Sequence, residues 1–163
     1  MNLTVGHLSI LVAWIVHVAS WFLTAVEVQE VYTPVAGWKA FRLAACAIWP
    51  CEGVEFQTQG HAVLATISVI TTLFFVLCSP CIVFRGSRLL RRWSAWVAAA
   101  AFILNTHWII TFGPQRSELA IGYYLWLLSF LLLAIGLFVS SRLVVSVNDQ
   151  LDETRISKAS GQT

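Results

Sequence analysis

The sequence predicts an all-α membrane protein: four antiparallel transmembrane helices with a short interfacial amphipathic helix in the first outer loop. Three observations support this prediction. Hydrophobic residues make up 58% of the 163 residues, and charged residues make up only 11%, less than half the share usual in soluble proteins. The apolar residues fall in four long blocks. The charges collect in the short stretches between those blocks.

The four apolar blocks are each long enough to cross about 30 Å of hydrocarbon, which takes about 20 helical residues. None contains Asp, Glu, Lys or Arg. Because backbone groups in lipid must be hydrogen-bonded within the chain, helix is the expected form. We therefore predict a four-helix transmembrane domain at 1–147, with spans at about 8–26, 62–84, 93–112 and 120–140, an outer loop at 27–61, and a polar cytoplasmic tail at 148–163.

The residues at the two ends of the sequence support two further expectations. The first seven residues contain no Lys or Arg, and the apolar stretch after them is longer than the core of a signal peptide. We therefore expect the first block to be a span rather than a cleaved leader. The tail at 148–163 is polar and has no apolar stripe, so we expect it to fray into water.

The positions of Lys and Arg predict the orientation. Cytoplasmic loops of membrane proteins are enriched in these residues. With both termini inside, seven of the ten would be cytoplasmic, including the four arginines of the 85–92 segment "RGSRLLRR". Both termini are therefore predicted to be cytoplasmic. The net charge of +2 gives no field that would collect nucleic acid.

The first outer loop contains a helical pattern between Pro34 and Gly53. Aromatic and apolar residues recur there at helical spacing, and two basic residues fall off that stripe. A short amphipathic helix lying in the outer interface would place such residues well. The alternative is a cap folded over the helix ends. The residues assigned to this interfacial helix are Trp38, Lys39, Phe41, Arg42 and Trp49.

Cysteine occurs in two pairs. Cys46 and Cys51 lie in the outer loop, where oxidation is permitted, and a disulfide, two free thiols or a redox pair are all open. The second pair, Cys78 and Cys81 in "CSPC", lies at the edge of the hydrocarbon, where a thiolate is disfavoured. There we expect Pro80 to kink the helix, with the cysteines as packing residues.

Polar side chains recur at one depth in all four spans. Counted from the outer end of each block, they lie roughly 8 to 14 Å below the outer surface at 1.5 Å per residue. Two alternatives follow: interhelical hydrogen bonds that fix packing, at about 0.6 kcal/mol each, or a polar binding cavity open to the outside. The residues of this layer are His17, Ser20, Ser68, Thr71, Asn105, Thr106, His107 and Ser129.

The polar layer also suggests a route to the outer surface. On a continuous first helix, His17, Ser20, Thr24 and Glu27 would share one face. That face would lead to an outer mouth near Glu27 and His61.

No cofactor is predicted. Haem held by His17 and His107 would need a tilted arrangement, because these residues differ in depth by roughly 6 Å. The sequence also lacks a phosphate loop, a dinucleotide-binding turn and a two-histidine zinc helix. We therefore expect no metal site, and an enzyme is a less favoured class than a binding protein.

Two resemblances can be stated from short motifs. The four spans, the long first outer loop and Gly-Trp followed by two cysteines resemble the claudin group, although Trp38 to Cys46 is longer and Cys46 to Cys51 shorter than in that pattern. "GWKAF" in the outer loop and "GYYLWLLSF" in the last span resemble small four-helix bacterial inner-membrane proteins of uncharacterised function. The latter resemblance implies an inner-membrane location and assigns no catalytic residue.

Together these features predict a non-enzymatic binding or accessory protein, or an immunity-type protein, that meets a protein partner in the membrane or at its outer face. The alternative is a small transporter, channel component or lipid or quinone binder that uses the polar layer. A membrane enzyme is the third hypothesis.

Overall fold

The computed structural model describes residues 5–28, 33–53, 58–111 and 119–160, with the backbone alone at 28, 33 and 111 and over 143–160. This part of the chain is mostly helical. Its elements, in chain order, are α1 (Val5–Phe22), β1 (Thr24–Val28), β2 (Thr33–Ala36), α2 (Gly37–Ala45), α3 (Gln59–Leu73), a π-helical turn (Phe74–Cys78), α4 (Ser79–Arg85), α5 (Arg88–Asn105), α6 (His107–Thr111) and α7 (Ile121–Ser160).

Four of the helical stretches are long and apolar enough to cross a membrane, as the sequence predicts. They are Val5–Phe22, Gln59–Arg85, Arg88–Ile110 and Ile121–Arg142. The second and third predicted spans begin earlier than expected, at Gln59 and Arg88, because polar residues form the first helical turns. The third loop, which contains Arg116, and the predicted end of the third span at 112 lie outside the described residues.

The first helix ends earlier than predicted, because the chain turns into a β-hairpin after Phe22. Strands β1 and β2 pair antiparallel, with an irregularity in register between Thr24 and Val26. The hairpin is tied to the start of α7, since the Ala120 N–H donates to the Ala25 carbonyl at 2.9 Å. The predicted helical face from His17 to Glu27 is therefore wrong: β-branched Thr24, Val26 and Val28 favour a strand. We call this end of the bundle, with β1, β2 and α2, the hairpin end.

Helices α1 and α7 pack closely against each other. Gly6 of α1 lies directly against the backbone of Gly136 and Ser140 of α7. Ser9 Oγ donates to the Leu132 carbonyl at 3.0 Å further along the same contact. Helix α5 packs against α7 through fully buried alanines at 98 and 101. Small residues let helix backbones approach closely in this way. We call these contacts among α1, α5 and α7 the small-residue seam.

Helix α3 stands apart from this seam. It packs on α5 and α2, but it barely approaches α1. Large rings fill the space instead: the fully buried Phe75 ring lies 5.5 Å from Trp14 of α1 and 5.3 Å from Phe130 of α7. The π-helical turn that carries Phe75 is followed by Pro80 near the start of α4, whose missing N–H removes a helical hydrogen bond.

The opposite end of the bundle is rich in arginine, and we call it the arginine end. Arg85 ends α4, and Arg88, Arg91 and Arg92 occupy the first turns of α5. Helix α7 passes Arg142 and continues to Ser160. The backbone over 148–160 is thus helical where the sequence led us to expect fraying, and the last three residues lie outside the described part of the chain.

Candidate functional site

Helix α2 covers the hairpin end of the bundle, with one face on the other helices. Its Phe41 ring stacks on Trp21 of α1 at 5.7 Å between centroids. The helix starts where the Gly37 N–H donates to the Leu23 carbonyl at 2.9 Å. A Cβ atom at Gly37 would overlap the Ser20 carbonyl, so only glycine lets α2 approach α1 here.

The other face of α2 is exposed. Among the residues of the predicted interfacial helix, Trp38, Lys39 and Arg42 are exposed, and Trp49, just beyond the helix, is 81% exposed. Phe41 alone of that set points into the bundle, where it lines the cavity described below. The helix therefore caps the bundle with one face, as the second sequence-based alternative predicts, and presents aromatic and basic residues with the other.

A disulfide closes the chain just after α2. Cys46 and Cys51 are bonded, with their Cα atoms 5.3 Å apart. Of the three alternatives open from the sequence, the structure has the bonded pair. The other two cysteines, Cys78 and Cys81, are free and exposed. The disulfide ties the segment after α2 back to the end of that helix and so fixes the edge of the cap.

Beneath α2 lies a cavity of about 360 Å³, bounded by α1, α3, α7 and the hairpin. Its wall is dominated by aromatic and aliphatic side chains. A few polar groups interrupt this surface, namely the hydroxyl groups of Ser20, Ser68 and Thr72. The aromatic side chains of the wall are Trp21, Phe41, Trp108, Tyr123 and Trp126.

Asn105 holds together a hydrogen-bond network behind this wall. Ser68 Oγ donates to Asn105 Oδ1 at 2.7 Å. Asn105 Nδ2 donates to Thr71 Oγ1 at 3.0 Å and to the Ala101 carbonyl at 2.7 Å. The amide is fully buried, and both its ends are satisfied. The network joins α3 to α5, as the packing alternative for the polar layer describes.

Three cavity-wall side chains extend this network towards the cavity. Trp108 Nε1 donates to Ser68 Oγ at 3.0 Å, and Tyr123 Oη donates to the Asn105 carbonyl at 2.8 Å. Trp126 Nε1 donates to Thr72 Oγ1 at 3.3 Å. The polar edges of these rings are thus turned to the helices, which leaves aromatic surface towards the cavity.

His17 belongs to a separate polar pair. Its Nδ1 lies 2.8 Å from Ser129 Oγ, and its ring stacks on Phe75 at 4.0 Å. The Ser129 hydroxyl already donates to the Trp126 carbonyl at 2.6 Å, so Nδ1 must carry the hydrogen and donate to Oγ. Nε2 is then a buried acceptor, and it has no hydrogen-bond partner among the described residues. The Ser20 hydroxyl donates to the His17 carbonyl at 2.6 Å.

The remaining residues of the predicted layer and mouth lie away from the cavity. Thr106 Oγ1 donates to the Phe102 carbonyl at 2.8 Å, and His107 Nδ1 bonds the Leu104 carbonyl, both within the same helical segment. The His61 ring lies 6.5 Å from that of Trp108. Glu27 is exposed on β1, opposite Pro34.

The structure therefore brings two of the eight predicted layer residues, Ser20 and Ser68, to the cavity wall. Trp21, Tyr123 and Trp126, which sequence reasoning did not identify, also line the cavity. Their aromatic character was the available signal. Aromatic character alone does not predict which rings lie against each other, because those contacts join residues far apart in the chain.

The described residues contain no group of three or more His, Cys, Asp or Glu side chains that could hold a metal ion. His17 packs between Phe75 and Ser129, whereas His107 lies beside Trp108, so the two histidines considered for haem do not share a cavity. No family model, curated protein or solved structure matches the chain. The cavity and its wall are therefore the basis on which a function is assigned.

Proposed function

We propose that this chain is a multi-pass protein of the bacterial inner membrane that binds a lipid or another largely apolar molecule, such as a quinone, beneath α2. The four long helices run antiparallel through the bilayer, and both termini are cytoplasmic. This placement puts the arginine end inside and the hairpin end outside, in agreement with the enrichment of Arg and Lys in cytoplasmic loops.

Exposed apolar side chains along the helices support the membrane placement. Large hydrophobic side chains cover the outward faces of all four long helices, which water would not tolerate over such an area. Examples are Ile15 at 60% exposed, Ile70 at 56%, Ile103 at 69% and Ile135 at 48%.

The cavity beneath α2 is the observation that carries the binding proposal. Small-molecule sites have volumes of about 300–1,000 Å³ and mostly apolar walls with a few placed polar groups, and this cavity has both properties. Flat aromatic side chains such as Trp21 and Phe41 suit an acyl or isoprenoid chain or a quinone ring.

The position of the cavity suggests how such a molecule would reach it. Helix α3 barely approaches α1, and in the hairpin half of the bundle the cavity occupies the space between them. A molecule dissolved in the outer leaflet could therefore pass between α1 and α3 without crossing water. Ser68 and Thr72 also line this space, so the polar end of such a molecule would lie beside them.

The test compares two alanine-to-phenylalanine variants. Ala44→Phe on α2 places a ring in the cavity, whereas Ala100→Phe on α5 places the same ring on an exposed surface outside it. Each protein is purified in mild detergent, and apolar molecules that co-purify are quantified by native mass spectrometry and solvent extraction. We expect near-stoichiometric ligand in the wild type and in Ala100→Phe, and at least a tenfold loss in Ala44→Phe.

Two results would count against the binding proposal. One is wild-type protein from native membranes that carries no apolar molecule above the level found on an unrelated four-helix protein. The other is an Ala44→Phe variant that is folded and retains the same ligand in the same amount.

A second role, as an accessory or immunity-type protein with a protein partner, is favoured by the exposed side of α2. Trp49 is 81% exposed beside the disulfide, and Lys39 and Arg42 are exposed on the helix itself. Recovery of a stoichiometric partner from native membranes by the wild type, but not by Trp49→Ala, would support this role. Equal recovery by both proteins would refute this surface as the contact.

A further inference from the structure

Three arginines surround one pocket at the arginine end. Arg88 and Arg92 come from α5 and Arg142 from α7, and the pocket between them has a volume of about 280 Å³. Phe138 and Ser141 complete its lining. We propose that this pocket binds the phosphodiester headgroup of an anionic phospholipid. This proposal rests on the membrane placement proposed above and is independent of the ligand beneath α2.

The guanidinium groups are placed to act on one anion. Arg88 and Arg92 are four residues apart, so they lie on the same face of α5. The Arg142 guanidinium lies over the Phe138 ring, 4.5 Å from its centroid, which holds it against α7. Like charges around one space repel each other, and an anion between them removes that cost. Arginine also matches phosphate oxygens with paired N–H donors.

The start of α5 adds positive potential at the same place. Ser87 caps this 18-residue helix by accepting a hydrogen bond from the Leu90 N–H at 3.3 Å. The first N–H groups of a helix have no carbonyl partner within the helix itself. The dipole of a helix is positive at this end and favours an anion there.

No carboxylate lines the pocket among the side chains that the structure describes. In sequence, the first acid after Arg142 is Asp149, seven residues further along α7 and so about 10 Å away along the helix axis. Because no described side chain neutralises these three arginines, we infer that an external anion does so.

A lipid fits this site better than free phosphate, because large apolar side chains adjoin the arginines. Leu89 is 66% exposed and Trp93 62%, and both lie on α5, the helix that carries Arg88 and Arg92. Acyl chains could lie along such a surface while the headgroup meets the guanidinium groups. Basic pockets at the cytoplasmic ends of membrane helices bind anionic lipid headgroups in this manner.

The test measures lipid binding by purified full-length protein in dodecylmaltoside. Dioleoylphosphatidylglycerol or dioleoylphosphatidylcholine is added, and binding is followed by native mass spectrometry and by the shift in melting temperature. We expect tight binding of phosphatidylglycerol only. Arg88→Gln, Arg92→Gln and Arg142→Gln should each weaken the binding of phosphatidylglycerol about fivefold. The double variant Arg92→Gln with Arg142→Gln should weaken it about 25-fold.

Arg85→Gln is the matched control, because it removes one charge at the same end of the bundle without touching the pocket. It should bind phosphatidylglycerol within twofold of the wild type. Inorganic phosphate and glycerol phosphate at millimolar concentration form a separate arm. Stabilisation by these soluble anions equal to that by the lipid would overturn the lipid assignment in favour of a free phosphate site.

The remaining outcomes are also decisive, provided that each variant has the wild-type melting temperature without lipid. Equal binding of the two phospholipids by the wild type would overturn the proposal. So would an equal loss in Arg85→Gln and Arg92→Gln, because the effect would then be one of general charge. Arg142→Lys keeps the charge but not the planar contact with Phe138, and we expect it to weaken binding by twofold to fivefold.

Discussion

The small-residue seam and the α1–α3 side of the bundle solve the same packing problem in opposite ways. In the seam, Gly6, Gly136 and Ala98 let backbones approach closely, and the space between helices is closed by the helices themselves. Between α1 and α3 the backbones stay apart. Phe75 and its ring neighbours fill the half nearer the arginine end, and the cavity occupies the hairpin half.

This difference indicates where a small helix bundle has room for a cavity. Helices that pack closely through small side chains leave no space between them for a ligand. A larger residue in such a contact must displace a neighbouring backbone. A contact made by large side chains leaves space wherever the rings stop. The cavity beneath α2 begins where the aromatic filling around Phe75 and His17 ends, at the level of Ser20 and Thr72.

The largest effect is expected in the seam. A Cβ atom at Gly136 would lie 2.7 Å from Ile10 Cγ1 and 3.0 Å from the Gly6 carbonyl oxygen. Gly136→Val should therefore lower the free energy of unfolding by about 3 kcal/mol or more, measured by unfolding in SDS from mixed micelles.

Gly60→Val is the control for Gly136→Val, because a Cβ atom at Gly60 meets nothing closer than Thr58 Oγ1 at 3.6 Å. Its effect should stay within about 0.5 kcal/mol. Equal destabilisation by both variants would show that the seam is no closer than the rest of the bundle.

An intermediate effect is expected where α3 meets α5. Asn105→Ala removes the three side-chain hydrogen bonds of Asn105, with Ser68, Thr71 and Ala101. At about 0.6 kcal/mol each, the loss should be about 2 kcal/mol in the same SDS titration. Thr106→Ala, which loses one bond to Phe102 within its own helical segment, should cost less than half as much. A smaller effect of Asn105→Ala than of Thr106→Ala would contradict a network that joins the two helices.

The smallest effect is expected at the cavity. Ala44→Phe adds a ring to open space, so it should change the free energy of unfolding by no more than about 0.5 kcal/mol. The same variant is the one expected to lose the bound apolar molecule, which separates occupancy from stability. A loss of several kcal/mol would mean that the space beneath α2 is already filled by the protein itself.

The sequence predicts the four long helices well, because a block of about 20 residues without charge has few other stable forms. It also predicts that Asn105 should find partners in a layer with Ser68 and Thr71. A polar side chain inside an apolar span is costly unless it is hydrogen-bonded, and residues at equal depth are the available partners. The structure places these three side chains in one network.

The hairpin and the cavity wall could not be predicted in the same way. Thr24 continues the apolar run of α1, and its β-branched side chain suits a strand, but the strand forms through pairing with a second segment, in which Thr24 lies opposite Ala36. The stacking of Trp21 on Phe41 depends on the close approach of α2 to α1 at Gly37. Such contacts depend on tertiary structure, which periodicity within one segment does not encode.

The unbroken course of α7 has a consequence beyond the bilayer. At 1.5 Å per residue its 40 residues form a rod about 60 Å long, of which roughly 27 Å follows Arg142. That projection is several times the screening length of about 8 Å in physiological salt. In the membrane placement proposed above, the far end of this helix would therefore stand beyond the electric field of the lipid surface, where a soluble molecule could reach it without first meeting the membrane.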